Sequence, residues 1–323
     1  TVLSRGLGDV YKRQIMTRAF AEQRERGQSI AGLWASQAAI YQRYGFAPAG
    51  ALREYRVDTT DIRLLMDSDD LPVQRFEGVE AFEAVRALYK DFIAQRTGYL
   101  HRSKSLWLNN VFAPPVEDGP VYVALVGSVS APTGYVVYTL RAQRVQHRAR
   151  AQEIRIRDLA WLDRSAYAAL WQYLARHDLV GRVVWSTAPM DDPAPDLFIE
   201  PRLLHAQDLE GTWWRLVDVP AALAQRGYDT EGVLVLGIAE DDLAPWNVGN
   251  WRVEYSREGA EVQTTRAPAD VNLSVRALSS LYSGHSVARH LANAQLITAD
   301  DAALAQFDRM MRTRFAPHCP DHY

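Results

Sequence analysis

Residues 15–58 read IMTRAFAEQRERGQSIAGLWASQAAIYQRYGFAPAGALREYRVD, and the order of periodicities within them decides the fold. From Ile15 the apolar positions Ile15, Met16, Ala19 and Phe20 fall on one side of a helix, with Arg18, Glu22, Gln23 and Glu25 elsewhere. Gly27 stands where a helix ends in left-handed geometry. SIAGLWAS (29–36) then reads as a short strand, AAIYQRYG (38–45) as a helix ended by Gly45, and FAPAGALREYRVD (46–58) as a further strand. Helix, strand, helix, strand is the closing half of an α/β unit. Its opening half would need about 100 further residues upstream, so the chain is expected to be N-terminally truncated. Residues 1–14, TVLSRGLGDVYKRQ, show neither strand alternation nor a helical stripe. GDVYKRQ (8–14) resembles a translated sequencing adaptor, and residues 1–14 are expected to be a non-native leader without function.

Two more blocks follow. DSDDLP (67–72) is acidic and ends in proline, a suitable boundary. Within 80–96, Phe82, Val85, Leu88, Tyr89, Phe92 and Ile93 keep helical spacing. Strands are expected at 121–126, 134–140 and 153–162, then a helix capped by Ser165, then a strand at 182–188. The second block therefore repeats the order of an α/β unit. The third begins near Gly211 with the strand TWWRLVDV, whose Trp213 and Trp214 point to opposite faces. Pro220 opens a helix at the position proline favours, and three strands and three helices follow before an irregular tail, RFAPHCPDHY (314–323).

AGLWASQAAIYQRYGF (31–46), WWRLVDVPAALAQRGY (213–228) and LSSLYSGHSVARHLANAQL (278–296) resemble the Eis family of multi-acetylating aminoglycoside N-acetyltransferases. The likeness runs from about Ile15 to Tyr323. It implies an α/β (α+β) fold: the C-terminal part of a catalytic GNAT domain at 15–66, a degenerate GNAT-like domain at 67–208, and a sterol-carrier-like domain at 209–323. It also implies acetyl-CoA as acyl donor, a small-molecule amine (an aminoglycoside or other polyamine-like compound) as acceptor, and a homo-oligomer, often a hexamer. The alternative is a non-enzymatic module in which the sterol-carrier-like block binds lipid or drives oligomerisation. His285, Arg289 and His290 interrupt its helices and favour assembly over lipid transport.

Tyr41 is the first catalytic candidate, since Y-x-x-x-G-F is the pattern of the late GNAT helix beside the thioester. A phenol at hydrogen-bond distance can protonate a departing thiolate. With ordinary values near about 10 for the phenol and about 8.5 for the thiol, the transfer helps most while charge is developing. Ser36 precedes the same helix as a candidate cap, and the resemblance places the matching serine near the cofactor. The second catalytic candidate is the α-carboxylate of Tyr323, which the resemblance implies handles the substrate amine. His322 stands where the family would favour an acidic residue for polycations, with Asp321 as a partial replacement. GNAT proteins cradle the CoA pyrophosphate on a Q/R-x-x-G-x-G/A loop entering a helix. Arg5 and Gly6 imitate that loop at the wrong spacing, so weak CoA binding and an inactive fragment are expected. In the second block AWLDRSAYAAL (160–170) has no glycine for backbone approach to a phosphate.

Net charge is −3 and charged residues make up 23%, so no excess of positive charge draws the chain to nucleic acid or an anionic membrane. The arginines of 141–157 lack interleaved aromatic platforms and read as an exposed hairpin tip. No apolar run approaches the length of a membrane span. One cysteine, Cys319, excludes an intrachain disulfide and, with no signal peptide evident, a cytoplasmic protein is expected. His318, Cys319 and His322 are a loose cluster short of a full ligand set, and no metal is expected.

Overall fold

Strand partners, not the linear blocks, set the architecture. A computed structural model of the chain describes residues 2–65, 71–143 and 151–322. Its strands are β1 (Ile30–Leu33), β2 (Ala47–Pro48), β3 (Ala51–Asp58), β4 (Val73–Glu77) and β5 (Val121–Ser128). They continue as β6 (Ala131–Ala142), β7 (Gln152–Trp161), β8 (Val180–Ala188), β9 (Gln207–Glu210) and β10 (Trp213–Leu216). The last five are β11 (Gly232–Ile238), β12 (Gly249–Ser256), β13 (Gly259–Thr264), β14 (Val271–Leu273) and β15 (Ile297–Ala299). Two compact units result. Of the described residues, one comprises 2–50 and 210–317; the other comprises those of 51–209 together with 318–322.

The 51–209 unit is a seven-stranded sheet in the order β4-β5-β6-β7-β8-β3-β9. Its central strands are apolar on both faces because both are covered. Val121, Val123 and Leu125 of β5 pack with the helix Phe82–Ile93, whereas Ala124 and Val126 pack with the helix Arg164–Ala175. Side chains alternating across one strand thus feed two separate cores. β5, β6 and β7 run antiparallel, and the helix after β7 carries the chain to parallel β8. Asp163, not Ser165, caps that helix, accepting from the Ala166 N–H at 2.8 Å. An aspartate in extended geometry one residue before the first helical turn outcompetes a serine already inside it. The arginine-rich hairpin tip falls largely on 144–150, outside the described residues.

The other unit holds two sheets. The order β1-β10-β2 places residues 213–216 between two strands from the N-terminal part of the chain. The second sheet, β13-β12-β11-β14-β15, packs one face on the helices Val219–Gln225, Val275–Tyr282 and Asp301–Met311. Trp213 enters the core of the small sheet and Trp214 packs on that of the large one, the two-faced arrangement expected of adjacent strand residues.

Three expectations change. The helix expected from Ile15 spans Val2–Glu25, because residues 2–14 contain no proline to break it, and Gly6 and Gly8 cost only about 1 kcal/mol each. On its apolar side Phe20 is buried, but Ile15 is 48% exposed. The single strand expected over 46–58 is two: β2 pairs with β10, and β3 joins β8 in the seven-stranded sheet. Tyr55 and Val57 alternate as a strand should, with Leu52 set out of phase by an irregularity between Arg53 and Tyr55, but alternation does not specify a partner. The TWWRL strand assigned to the third block correspondingly completes the sheet of the first.

Candidate active site

Tyr41 lies on a short helix, Ala38–Gln42. Five residues cannot hold a helix alone, and tertiary contacts fix it. The Tyr41 carbonyl accepts from the N–H groups of Tyr44 and Phe46 at 3.0 and 3.2 Å, which folds the chain back at Gly45. The Tyr41 ring then stands edge-on to Phe46, with centroids 6.0 Å apart, while Phe46 meets Phe20. Tyr41 is half-buried against this cluster.

The glycine of Y-x-x-x-G-F has two physical reasons. Gly45 takes φ +80, which L side chains rarely adopt, and a Cβ there would lie 2.5 Å from Nη1 of Arg215. Arg215, on β10, is 1% exposed and donates through Nη2 to both carboxylate oxygens of Asp241 at 2.7 and 2.6 Å. Its guanidinium sits 5.1 Å from the Phe20 ring centroid, and Asn247 donates to the same carboxylate at 2.9 Å. Burial pulls the Arg215 pKa below the ordinary arginine value, and Asp241 opposes that pull. Arg215 escaped sequence reading because it stands 170 residues from Gly45 and carries no motif of its own; the Trp-rich strand was visible, its partner was not. Gln42, Arg43, Gly45, Arg215, Asp241 and Arg276 wall part of a cavity of about 290 Å³; Tyr41 is not among its lining residues.

Ser36 does not cap. Gln37 occupies the N-cap position without a side-chain hydrogen bond, and Ser36 is exposed one residue earlier. The extended Gln37 backbone at φ −148 and ψ 108 places Ser36 beyond capping position. Tyr323 lies outside the described residues. Asp321, expected as a substitute charge for polycations, is 1% exposed and bound to Arg102, so it presents no carboxylate to a ligand. His322 is exposed. The His318 ring packs on Tyr99, and the Cys319 thiol donates to the Asp321 carbonyl at 3.6 Å, so both serve packing of the tail. No group of three or more potential metal ligands occurs among the described residues. In the 51–209 unit, the Asp163 carboxylate already fills the N-terminus of the helix after β7, where a phosphate would meet like charge.

Among the described residues no helix is long and apolar enough to cross a membrane. Acetyltransferase (GNAT) domain families match residues 4–49 and 98–226, and a sterol carrier protein domain family matches 219–320. An uncharacterized N-acetyltransferase of Streptomyces coelicolor is 30% identical over 276 residues, covering 84% of this chain and 66% of that protein. The N-acetyltransferase Eis of Mycobacterium tuberculosis is 29% identical over 305 residues, covering 92% of this chain and 71% of Eis. The crystal structure of Eis1 from Mycobacterium abscessus superposes with a TM-score of 0.80 at 28% identity, over 95% of this chain and 77% of that one. The chain thus spans about two thirds of the length of its Streptomyces relative. With two GNAT matches, a sterol carrier match and this likeness to Eis proteins along nearly its whole length, the chain belongs to the Eis-like GNAT N-acetyltransferases.

Proposed function

We propose that this chain is part of an acetyl-CoA-dependent N-acetyltransferase that acylates a small-molecule amine, an aminoglycoside or other polyamine-like compound. The observation that carries the reading is the Gly45 turn. Arg215 leaves room there only for glycine, and the turn holds the Tyr41 ring edge-on to Phe46. A half-buried phenol and the exposed Ser36 hydroxyl suit the thioester end of the cofactor. The pyrophosphate end is not matched: Arg5 and Gly6 lie within the helix Val2–Glu25, not in a loop leading into one. The 323-residue chain is accordingly expected to turn over poorly by itself.

Acetyl-CoA, when bound, supplies the acyl group as a thioester. Tyr41 Oη holds the proton that a departing thiolate needs. The α-carboxylate of Tyr323 pairs with the substrate ammonium. At about 3.5 against about 10.4 it is too weak a base to deprotonate a fully solvated amine, so it acts through water or on an amine whose pKa the site lowers. The Asp163 cap supports a non-catalytic role for the second GNAT-like domain. The same reading includes homo-oligomeric assembly, a hexamer if it follows the family, to be measured by light scattering.

Turnover is to be measured in the longest reading frame that contains this chain. Tyr41→Phe and a short extension after Tyr323 should each lower kcat by about a hundredfold. Unchanged rates in both variants reject the assignment.

A further inference from the structure

A cavity of about 410 Å³ in the 51–209 unit is walled by the helix Phe82–Ile93 and the 101–107 segment. On the helix, Glu83, Ala87 and Lys90 recur every three or four residues and so face it together, and the buried Ile93 adds an apolar wall. Its floor is Tyr89, Arg102 and Trp107, all buried. The Arg102 guanidinium lies between the two rings, 4.3 Å from the Tyr89 centroid and 4.4 Å from that of Trp107. Its Nη1 and Nη2 donate to the two Asp158 oxygens at 2.7 and 3.1 Å, and its Nε to Asp321 at 2.9 and 3.0 Å. The backbone leading to Arg102 is held as well. The His318 N–H donates to the Thr97 carbonyl at 3.0 Å, and a Cβ on Gly98 would lie 2.8 Å from the His318 carbonyl oxygen. The floor is therefore rigid before any ligand arrives, which spares the ordering cost of binding.

Packing leaves two groups of this cavity unused. Trp107 is 1% exposed, yet its indole N–H has no hydrogen-bond partner among the described residues. The unpartnered indole nitrogens of Trp171 and Trp213 are sealed inside the protein; that of Trp107 is not, and Trp107 lines the cavity. Its backbone is unusual too. Trp107–Val111 is a π-helical turn, with the Phe112 N–H donating to the Trp107 carbonyl at 3.0 Å. Such widened turns are rare and recur at functional sites. At the rim Glu83 is already paired with Arg86 at 2.8 Å, whereas Lys90 has no ion pair among the described residues. The two unused groups, an indole N–H and an ammonium, can only donate.

We propose that this cavity binds a small organic carboxylate, which accepts from the Trp107 indole N–H and faces the Lys90 ammonium while its apolar body lies against Ala87 and Ile93. An acceptor-only anion is the complement of an unpaired N–H beside a cation. This second site stands apart from the acyl-transfer reading and does not depend on it.

The test titrates benzoate into the full chain, isotope-labelled at the indole nitrogens, and follows the nine tryptophan signals by nuclear magnetic resonance. One signal should move saturably and be missing in Trp107→Phe. Ala87→Phe places a ring in the cavity from an exposed helix position and should abolish the shift without disturbing the fold. Lys90→Glu should raise the Kd about fivefold to tenfold, the effect of reversing one exposed charge beside an anion. Inorganic phosphate has the charge without the apolar body, and should bind at least about tenfold more weakly than benzoate. Absence of a saturable shift overturns the inference, as does a moving signal that persists in Trp107→Phe. Binding that survives Ala87→Phe or is unchanged in Lys90→Glu overturns it too, and so does phosphate binding as tightly as benzoate.

Discussion

His318 makes the attachment of the tail sensitive to acid. Its ring is 2% exposed and packs on Tyr99 with centroids 5.1 Å apart, and Nδ1 lies 3.5 Å from the Ala51 carbonyl oxygen. Burial pulls its pKa from 6.5 down to about 4, the Ala51 carbonyl opposing and Arg96 adding to the pull. A detached tail therefore takes up a proton below pH 6.5, whereas the docked tail does so only near pH 4. Docking is fully stable above 6.5 and weakens as pH falls through that window. Each pH step within the window is worth about 1.4 kcal/mol, so going from pH 7 to pH 5 costs the docked tail about 2 kcal/mol, a roughly 20- to 30-fold rise in the open fraction. Cys319, adjacent and 3% exposed, reports that opening through its labelling rate relative to denatured protein at the same pH. His318→Phe keeps a ring on Tyr99 but removes the titration. Protection in this variant should not fall between pH 7 and 5. Asp321, whose carboxyl burial raises despite Arg102, acts in the opposite sense and remains in both proteins. Equal loss of protection on acidification in wild type and His318→Phe would refute the reasoning.

Three other outcomes are expected. Gly98→Ala combines φ +91 with a backbone contact that cannot yield, and should expose Cys319 to labelling while far-ultraviolet circular dichroism stays unchanged. Gly45→Ala introduces a Cβ beside the Arg215–Asp241 pair and should lower stability by about 2–4 kcal/mol in denaturant titrations, part from left-handed geometry and part from the displaced ion pair. Burial raises the Asp192 carboxyl to about 7, against hydrogen bonds from Tyr167 and the Ala194 N–H. An acid raised on folding loses stability as pH climbs between its unfolded and folded values. Asp192→Asn should then be stabilising at pH 8, by up to about 4 kcal/mol, and near neutral at pH 4, as scanned by thermal melts.

Local pattern carried much of the architecture. β5, β6 and β7 follow from alternation, although β6 begins at Ala131, ahead of the expected 134, and the helix Val219–Gln225 follows from Pro220. The partners did not follow, because a strand's sequence records which side is buried and not which strand lies beside it. Leu52, Tyr55 and Val57 were therefore legible as a strand and illegible as a member of the seven-stranded sheet. Tyr41 was legible as a candidate through the glycine four residues on, and the left-handed turn at that glycine is what the structure shows. Arg102, Asp158 and Asp321 were not legible, since three charged residues scattered over the chain look like surface until burial brings them together. Asp321 was read as a ligand-facing charge for the same reason.

The position of β10 makes one native pairing very distant in sequence. Trp213 must reach Pro48 across about 165 residues, and closing so long a flexible loop costs roughly 4–5 kcal/mol of chain entropy. β3 and β9, the first and last strands of the intervening stretch, are neighbours in the seven-stranded sheet, and Arg53 ties them through Asp208 at 2.7 Å. Once that sheet has formed, residues 50 and 210 are held close, and most of the entropy has already been spent. Closure of the inserted sheet thus removes most of the entropic cost of bringing β10 between β1 and β2, whose middle strand is made about 165 residues after β2.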